Sequence, residues 1–319
     1  MDQIFFDELD ISKPKYNIGI GSGSHGQQTG QMLIKIEEIL MKERPRMVII
    51  QGDTNTTLAG ALAASKMQIP IAHIESGMRS FNRSMPEEMN RVVVDHISQL
   101  LFVTSEQPKE NLLKEGLEEK SIVICGNTQS EAVKRFIDIA KRKSRIITDL
   151  GLECGHYILV TVHRQENTEK PEILKNILTG LARISNETGY PIIFPAHPRT
   201  INTIKENGIE IPQAIRIIEP LGYIDFLRLQ MESGLIMTDS GGVQEEAFML
   251  CVPCVTLRNE TEWVDTIEAG ANVLAGTEVE NIVACAKKMI SSKRDWQLPI
   301  AQASPSDIIV STVMKMLSE

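Results

Sequence analysis

Short apolar runs that recur along the chain, each ending in polar residues or glycine, most constrain how it can fold. Runs of β-branched and aliphatic residues bounded in this way are typical of parallel strands buried on both faces. Amphipathic stretches such as 29–43, with Met32, Leu33, Ile36 and Leu40 on one face, separate the runs. The alternation predicts an α/β protein with mostly parallel sheets. The clearest runs are MVIIQGD (47–53), IPIAHIE (69–75), QLLFVTSE (99–106), SIVICGN (121–127), YILVTVHR (157–164) and GLIMTDSGG (234–242).

The alternation weakens once, in the stretch 130–155. A helix with a basic end is followed there by a polar segment that contains glycine. We therefore predict two α/β domains of similar size, 1–148 and 149–319, with the last helix packing back on the N-terminal domain. Ligands of such sheets bind at the carboxyl ends of the strands, so we expect the active site in the cleft between the domains.

Composition and charge exclude several classes of function. The 319 residues carry 33 Lys and Arg against 42 Asp and Glu, a formal net charge of −9, so we expect neither nucleic acid nor a membrane surface as a partner. No apolar run approaches the length of a membrane span, and the N-terminus shows no signal-peptide pattern. The five cysteines, a small and odd number, indicate reduced thiols and therefore a cytoplasmic protein.

Acidic side chains follow the predicted strands of the first half. Asp53 comes after MVIIQ, and Glu75 comes after IPIAHI. Capping of the next helix would account for Asp53, whereas a charged residue such as Glu75 at the end of a buried strand costs free energy unless it is paired or used. Glu87 follows Pro86, and the positive end of a helix would accommodate it without a catalytic role. Glu75 is thus the stronger candidate for chemistry, and for Asp53 capping and a catalytic role both stay open.

The second half repeats this arrangement with histidine. Strand YILVTV runs into His163 and Arg164, and strand PIIFPA runs into His197. One such histidine is usually structural, but two strand ends that both present histidine beside arginine favour an anionic ligand and proton transfer near neutral pH.

The most informative segment is TDSGGVQEEA, where a strand breaks at Ser240, Gly241 and Gly242 and a helix follows. Small residues let a phosphate approach the backbone, and the N-terminus of the helix favours its negative charge. Glu245 and Glu246 come one turn later, where a carboxylate can accept the hydroxyls of a ribose. The segment predicts a nucleoside diphosphate site.

Two other patterns carry less information. Cys251 and Cys254 match CxxC, but no second cysteine pair or spaced histidine follows, so we expect no metal site. The glycine-rich stretch 21–30 is neither a dinucleotide fingerprint nor a Walker A loop, and we interpret it as a polar loop that enters a helix.

Taken together, the motifs resemble those of the non-hydrolysing UDP-N-acetylglucosamine 2-epimerases, in that family's order. The motifs are GDTNTTLAGALAA, HIESGMRS, MPEEMNR, LVTVHRQEN, FPAHPR, TDSGGVQEEA and CVPCVTLRNETEW. The resemblance implies a glycosyltransferase-B-like pair of Rossmann-like domains, a homodimer, and reversible epimerisation of UDP-N-acetylglucosamine to UDP-N-acetylmannosamine for surface polysaccharide synthesis. It implies no cofactor, because the C2 proton and UDP leave and are then added back to the resulting glycal.

The same resemblance implies roles for individual residues. Acid/base roles are implied for Asp53, Glu75 and Glu87, and a catalytic role for His163. Substrate or UDP binding, with Glu246 on the ribose and Phe226 beside the uracil, is implied for Arg91, Phe226, Ser240, Gly241, Gly242 and Glu246. A site for a second UDP-N-acetylglucosamine molecule, acting as an activator, is implied near Gln28, Gln31, Arg164 and His197.

The chain departs from the family pattern at its N-terminus. Family members begin with a strand that ends in a Gly-Thr-Arg-Pro-Glu loop, whose Arg and following Lys contact the diphosphate and the sugar, whereas this chain begins with MDQIFF. We therefore expect the family's first strand, helix and second strand to be missing, which would leave flanking strands unpaired.

Three alternatives to the UDP-N-acetylglucosamine epimerase stay open at this point. One is an epimerase of a UDP-diacetamido uronic acid sugar, because the sequence does not identify the groups at C3 and C6. The second is a glycosyltransferase of the same architecture. The third is an inactive remnant that binds a UDP-sugar, which the expected loss of the N-terminal segment favours.

Overall fold

A computed structural model describes residue 6 and residues 8–21, 23–298 and 303–318 of the chain. Contacts divide it into two compact units. The first unit is Pro14–Glu131 with the described part of Ile300–Glu319, and the second unit is Ala132–Pro299 with the described part of Met1–Lys13. This division comes earlier in the chain than the predicted boundary at 148/149.

The first unit is built on a four-stranded parallel sheet in the order β1-β2-β3-β4. Its strands are β1 Val48–Gln51, β2 Ile71–Ile74, β3 Leu100–Val103 and β4 Ile122–Ile124. Its helices are α1 His25–Glu43, α2 Asn55–Lys66, α3 Pro86–Ile97, α4 Glu106–Lys114 and, from the end of the chain, α14 Pro305–Ser318.

Helices cover both faces of this sheet. Ala64 of α2 packs with Ile71 of β2, whereas Ile309 of α14 packs with Ala72 of the same strand. Because consecutive side chains of a strand point to opposite faces, α2 and α14 lie on opposite faces of the sheet. Burial on both faces explains why β3, in the interior of the sheet, consists of apolar residues only.

The second unit contains a six-stranded parallel sheet in the order β10-β9-β8-β5-β6-β7. Its strands are β5 Ile158–Thr161, β6 Ile192–Pro195, β7 Ile215–Ile218, β8 Leu235–Thr238, β9 Cys254–Thr256 and β10 Asn272–Leu274. The helices are α5 Thr128–Lys143, within which the division of the units falls, α6 Ile146–Leu150, α7 Gln165–Thr168, α8 Pro171–Thr188, α9 Pro198–Glu206, α10 Tyr223–Met231, α11 Gly241–Met249, α12 Val264–Glu268 and α13 Val279–Ile290.

Local signals in the sequence explain where several helices begin and end. The helices α3 and α8 each begin at a proline, which lacks the N–H that the first turn leaves unbonded. Helix α8 ends at Gly189, whose φ of 76° lies in the left-handed region that glycine adopts without strain.

The structure confirms the predicted α/β class with two parallel sheets. Within the described ranges, no helix combines the length and the apolar composition needed to cross a bilayer.

Candidate active site

The predicted carboxylates Asp53 and Glu75 follow adjacent strands of the first unit. Gln51 at the end of β1 is in register with Ile74 at the end of β2, so both acidic residues lie at the same edge of the sheet. Glu75 has a φ of 68°, a left-handed conformation that is uncommon for a residue other than glycine. Strained backbone of this kind is found most often where a side chain must be aimed at a ligand.

The surroundings of Glu75 favour the protonated carboxyl. Burial raises the pKa of Glu75 above its ordinary value, and the nearby charge of Asp53 raises it further. A hydrogen bond from Gln51 Nε2 to Glu75 Oε1, 2.8 Å long, opposes this shift of the pKa. The same Gln51 amide also donates to Thr128 Oγ1 at 3.2 Å. A carboxyl whose pKa is moved towards neutrality is suited to acid/base work.

Helix α3 holds Asp53 at two points. Arg91 Nε lies 2.8 Å from Asp53 Oδ2, and Asn90 Nδ2 donates to the Asp53 carbonyl oxygen at 2.8 Å. Arg91 Nη1 also lies 2.6 Å from Glu88 Oε2. The Arg91 guanidinium thus contacts two carboxylates of the protein, and its predicted role in substrate binding stays a prediction.

The two acidic residues that follow Pro86 differ in their surroundings. Glu88 is buried, and its carboxylate accepts hydrogen bonds of 2.9 Å from the backbone N–H groups of Ser80 and Phe81. It therefore holds the loop before α3 in place. Glu87 lies half-buried in the first turn of α3, so Glu87 is the better candidate of the pair for a chemical role, as the motif predicts.

In the second unit, the strands that lead to His163 and to Ser240 are neighbours. Thr161 at the end of β5 is in register with Thr238 at the end of β8. His163 and Ser240 each lie two residues beyond, so the histidine and the glycine turn share one edge of the sheet. The His163 side chain is 51% exposed, which leaves its ring accessible.

Asp239, a residue to which the sequence analysis gave no role, fixes the turn that carries His163. Its buried carboxylate accepts 3.1 Å hydrogen bonds from the backbone N–H groups of His163 and Arg164. It also accepts from Asn167 Nδ2 at 3.0 Å, and His163 Nε2 lies 3.8 Å from Asp239 Oδ1. The sequence offered one signal for this role of Asp239. It directly follows β8, a strand with only one polar residue, and a charge buried at that point needs partners.

The glycine turn presents the N-terminus of helix α11. Ser240 is the N-cap of α11 and uses no side-chain hydrogen bond for capping, and the first turn of a helix directs backbone N–H groups and positive charge outwards. A Cβ on Gly241 would lie 2.5 Å from Glu262 Oε1 and 3.0 Å from Trp263 Nε1. Because Glu262 is held by Arg258, with Nη1 to Oε2 at 3.0 Å, it cannot easily move, and this position requires glycine.

The predicted ribose ligand Glu246 is buried and already held within the protein. Tyr223 Oη donates to Glu246 Oε1 at 3.1 Å, and Gln230 Nε2 donates to Oε2 at 2.5 Å. These two bonds orient the Glu246 carboxylate, and its role at the ribose stays a prediction. Phe226, the predicted neighbour of the uracil, lies half-buried on the same helix as Tyr223.

The residues of the predicted activator site are found in both units. In the first unit, Gln28 accepts from Asn55 Nδ2 at 3.0 Å and donates to the Gly21 carbonyl oxygen at 3.0 Å. Gln31 is exposed on α1 in the same unit. In the second unit, Arg164 Nε donates to the Asp239 carbonyl oxygen at 3.0 Å, and His197 is exposed after β6. The activator site stays a prediction, as does the placement of the active site in a cleft.

Comparison with known proteins agrees with the motifs. The family model described as UDP-N-acetylglucosamine 2-epimerase matches residues 1–305. A UDP-N-acetylglucosamine 2-epimerase of Methanococcus maripaludis is 49% identical over 319 residues, which cover 98% of this chain and 87% of that protein. A UDP-2,3-diacetamido-2,3-dideoxy-D-glucuronate 2-epimerase of Pseudomonas aeruginosa is 44% identical over 289 residues, 90% of this chain and 79% of that protein.

A solved structure agrees as well. The crystal structure of Methanocaldococcus jannaschii UDP-GlcNAc 2-epimerase in complex with UDP-GlcNAc and UDP superposes with a TM-score of 0.94 at 47% identity, covering 98% of this chain and 88% of that one. The match to the family model spans most of the chain and confirms the resemblance seen in the motifs. The chain therefore belongs to the UDP-N-acetylglucosamine 2-epimerase family.

Proposed function

We propose that this protein catalyses the reversible epimerisation at C2 of UDP-N-acetylglucosamine to UDP-N-acetylmannosamine, by elimination and re-addition of UDP. The observation that carries the proposal is Glu75, a carboxyl with a raised pKa in a strained turn beside Asp53. Abstraction of a proton from carbon needs a base of this kind, held ready in a fixed position.

In the first half of the proposed reaction, one of the carboxylates Asp53, Glu75 and Glu87 takes the C2 proton. The electron pair of the C–H bond forms a double bond between C1 and C2, the C1–O bond breaks, and UDP leaves. In the second half, the UDP oxygen adds to C1 and a proton is delivered to C2 from the opposite face. Two acid/base groups on different sides of the sugar are therefore required, and no electrons are exchanged with a cofactor.

The second unit supplies the groups that this reaction needs at the diphosphate. The N–H groups and the positive end of α11 at Ser240–Gly242 would stabilise the charge that develops on UDP as the C1–O bond breaks. His163, at the same sheet edge, would donate a proton or a hydrogen bond to that leaving group. Glu246 would bind the ribose, and Phe226 would lie beside the uracil.

We also propose that the protein is a cytoplasmic homodimer whose product serves surface polysaccharide synthesis. Support comes from the five cysteines, which are free and suit a reducing compartment. Sedimentation of the purified protein would test the dimer.

Incubation of the purified protein with UDP-N-acetylglucosamine, followed by proton NMR of the sugar, tests the reaction. We expect a mixture of the two C2 epimers with the nucleotide still attached. In a parallel incubation with an added sugar acceptor, release of UDP that depends on the acceptor, without the second epimer, would instead indicate a glycosyltransferase. UDP binding without any conversion would indicate an inactive binding protein.

An epimerase of a UDP-diacetamido uronic acid sugar is the second candidate, because a relative with that name is 44% identical to the chain. Competition between the two UDP-sugars separates the candidates. We expect the larger kcat/KM for UDP-N-acetylglucosamine; a larger value for the diacetamido uronic acid sugar would reverse the assignment.

A further inference from the structure

The first unit contains a buried chain of charged residues behind the predicted catalytic carboxylates. His73 of β2 and Asp95 of α3 are completely buried, and Arg79 is nearly so. Arg79 Nη1 lies 2.7 Å from Asp95 Oδ2, and the Arg79 guanidinium also forms a two-point contact with Glu115, with distances of 2.8 and 2.7 Å. A buried chain of this kind costs free energy unless every charge has a partner. The proposed reaction assigns no role to these four residues.

The two ring nitrogens of His73 both face acceptors. Nδ1 lies 2.7 Å from Asp95 Oδ1, and Nε2 lies 2.9 Å from the carbonyl oxygen of Gly52. A carbonyl oxygen can only accept. The other Asp95 oxygen, Oδ2, lies 2.7 Å from Arg79 Nη1 and accepts a 3.1 Å hydrogen bond from the N–H of Gly77, and both contacts favour the ionised carboxylate. Asp95 is therefore an ionised acceptor, and both ring nitrogens of His73 must carry a proton.

With His73 protonated, the four charged groups sum to zero. The imidazolium is opposite Asp95, and the Arg79 guanidinium is shared between Asp95 and Glu115. Charge balance removes the main objection to a fully buried imidazolium.

The pair formed by His73 and Asp95 connects the two turns that carry the predicted catalytic carboxylates. His73 binds the carbonyl of Gly52, the residue before Asp53. Asp95 Oδ2 accepts a 3.1 Å hydrogen bond from the N–H of Gly77, two residues after Glu75. Gly52, with a φ of 70°, and Glu75 both adopt left-handed backbone, so these turns need bonds that keep them from relaxing.

We propose that His73 is a positioning residue, held as an imidazolium by Asp95, that fixes the Gly52 carbonyl and thereby aligns Asp53 with Glu75 for proton transfer at C2. This inference rests on the proposed function for its kinetic consequence, but the protonation state of His73 can be measured without any substrate.

The first test is nitrogen NMR of the 15N-labelled wild-type protein. The chain has six histidines, and variants of exposed ones, such as His156→Gln, assign His73 by elimination. We expect both ring nitrogens of His73 to have the chemical shifts of protonated nitrogens at about pH 8, where an ordinary histidine is neutral. One unprotonated ring nitrogen would overturn the proposal.

The second test compares two isosteric variants. His73→Asn retains a donor to Asp95 but loses the bond to Gly52, and His73→Gln retains a donor to Gly52 but loses the bond to Asp95. We expect His73→Asn to lower kcat for epimerisation by roughly 10- to 100-fold, since small misplacements of catalytic groups cost this much, with KM and UDP affinity unchanged. His73→Gln should lose less.

An equal or greater loss in His73→Gln, or a change confined to KM, would contradict the positioning role. A wild-type protein that binds UDP but does not epimerise would instead disprove the proposed function, and the NMR result would then still decide the state of His73. His156→Gln serves as the kinetic control, because this exposed side chain lies in the second unit, outside the site.

Discussion

Arg91 Nε lies 2.8 Å from Asp53 Oδ2 while Nη1 of the same guanidinium lies 2.6 Å from Glu88 Oε2. One buried cation thus joins a predicted catalytic carboxylate to the carboxylate that holds the loop at Ser80 and Phe81. The contact links stability and function in the first unit, because removal of the guanidinium would leave a buried anion at Glu88 and release Asp53.

Replacement of Arg91 by Met should destabilise the protein by about 3 kcal/mol, the scale for breaking a buried ion pair from one side. Urea unfolding of the wild type and the variant measures the change. Arg183→Met is the matched control, since the Arg183 side chain, which pairs with Glu187 and Glu280, is 44% exposed, and its removal should destabilise the protein far less. Equal losses in the two variants would contradict the importance of burial at Arg91.

Gln51→Ala should move the acidic limb of the pH–rate profile to higher pH. Glu75 acts as the base in one direction of the proposed epimerisation, so kcat/KM falls as the pH drops through the pKa of Glu75. Burial raises that pKa above its ordinary value. The hydrogen bond from Gln51 lowers that pKa, so its loss raises the pKa further. The measurement is kcat/KM against pH, with exposed Gln213→Ala as the control. A limb that stays in place or moves to lower pH would rule out this role of Gln51.

Glu75→Gln should stabilise the protein at neutral pH while it abolishes epimerisation. A carboxyl whose folded-state pKa is raised contributes stability below its unfolded pKa and loses it as pH rises through the folded pKa. An uncharged amide avoids that loss, so the difference in melting temperature should be clear at about pH 8 and vanish near about pH 4. Glu43→Gln is the control. Because Lys15 lowers the pKa of Glu43, this variant should have a lower melting temperature than the wild type at about pH 8. A lower melting temperature for Glu75→Gln at about pH 8 would be inconsistent with the raised pKa.

Gly241→Ala should weaken UDP binding about tenfold or more, equivalent to at least about 1.4 kcal/mol. The new methyl group would meet Glu262 Oε1 at 2.5 Å and push the turn away from the position that a diphosphate needs. Calorimetric titration with UDP measures the affinity. Gly60→Ala is the control, because a Cβ there lies at an ordinary 3.5 Å from Ile50 Cγ2. UDP affinity equal to that of the wild type in Gly241→Ala would remove the turn from the binding site.

The strands, and the residues that follow them, could be predicted from the sequence because they depend on local pattern. Buried strands such as β3 and β8 must be apolar on both faces, so they are visible as runs, and the residues that follow them, including Glu75 and Ser240, lie at sheet edges by necessity. A phosphate site could be predicted at Ser240 and Gly241 because a strand-to-helix turn that binds phosphate needs small residues, and this role stays a prediction.

Contacts between residues far apart in the chain could not be predicted in the same way. The pairing of Arg91 with Asp53 depends on the angle at which α3 packs on the sheet, and that angle is set by many apolar contacts together. His73 illustrates the same limit: it stands in an apolar strand, and only the structure shows that Asp95 and the Gly52 carbonyl both face its ring. The spacing of Glu88, Arg91 and Asp95 along one helix face was the available hint that α3 buries charge.

Incorporation of deuterium from D₂O into C2 of UDP-N-acetylglucosamine is the most direct test of epimerisation at C2, because it reports breakage of the C–H bond itself. We predict that the wild-type protein labels C2 in both epimers, and that Glu75→Gln binds UDP normally but incorporates no deuterium. A folded, UDP-binding wild-type protein that leaves the C2 proton unexchanged would contradict this prediction.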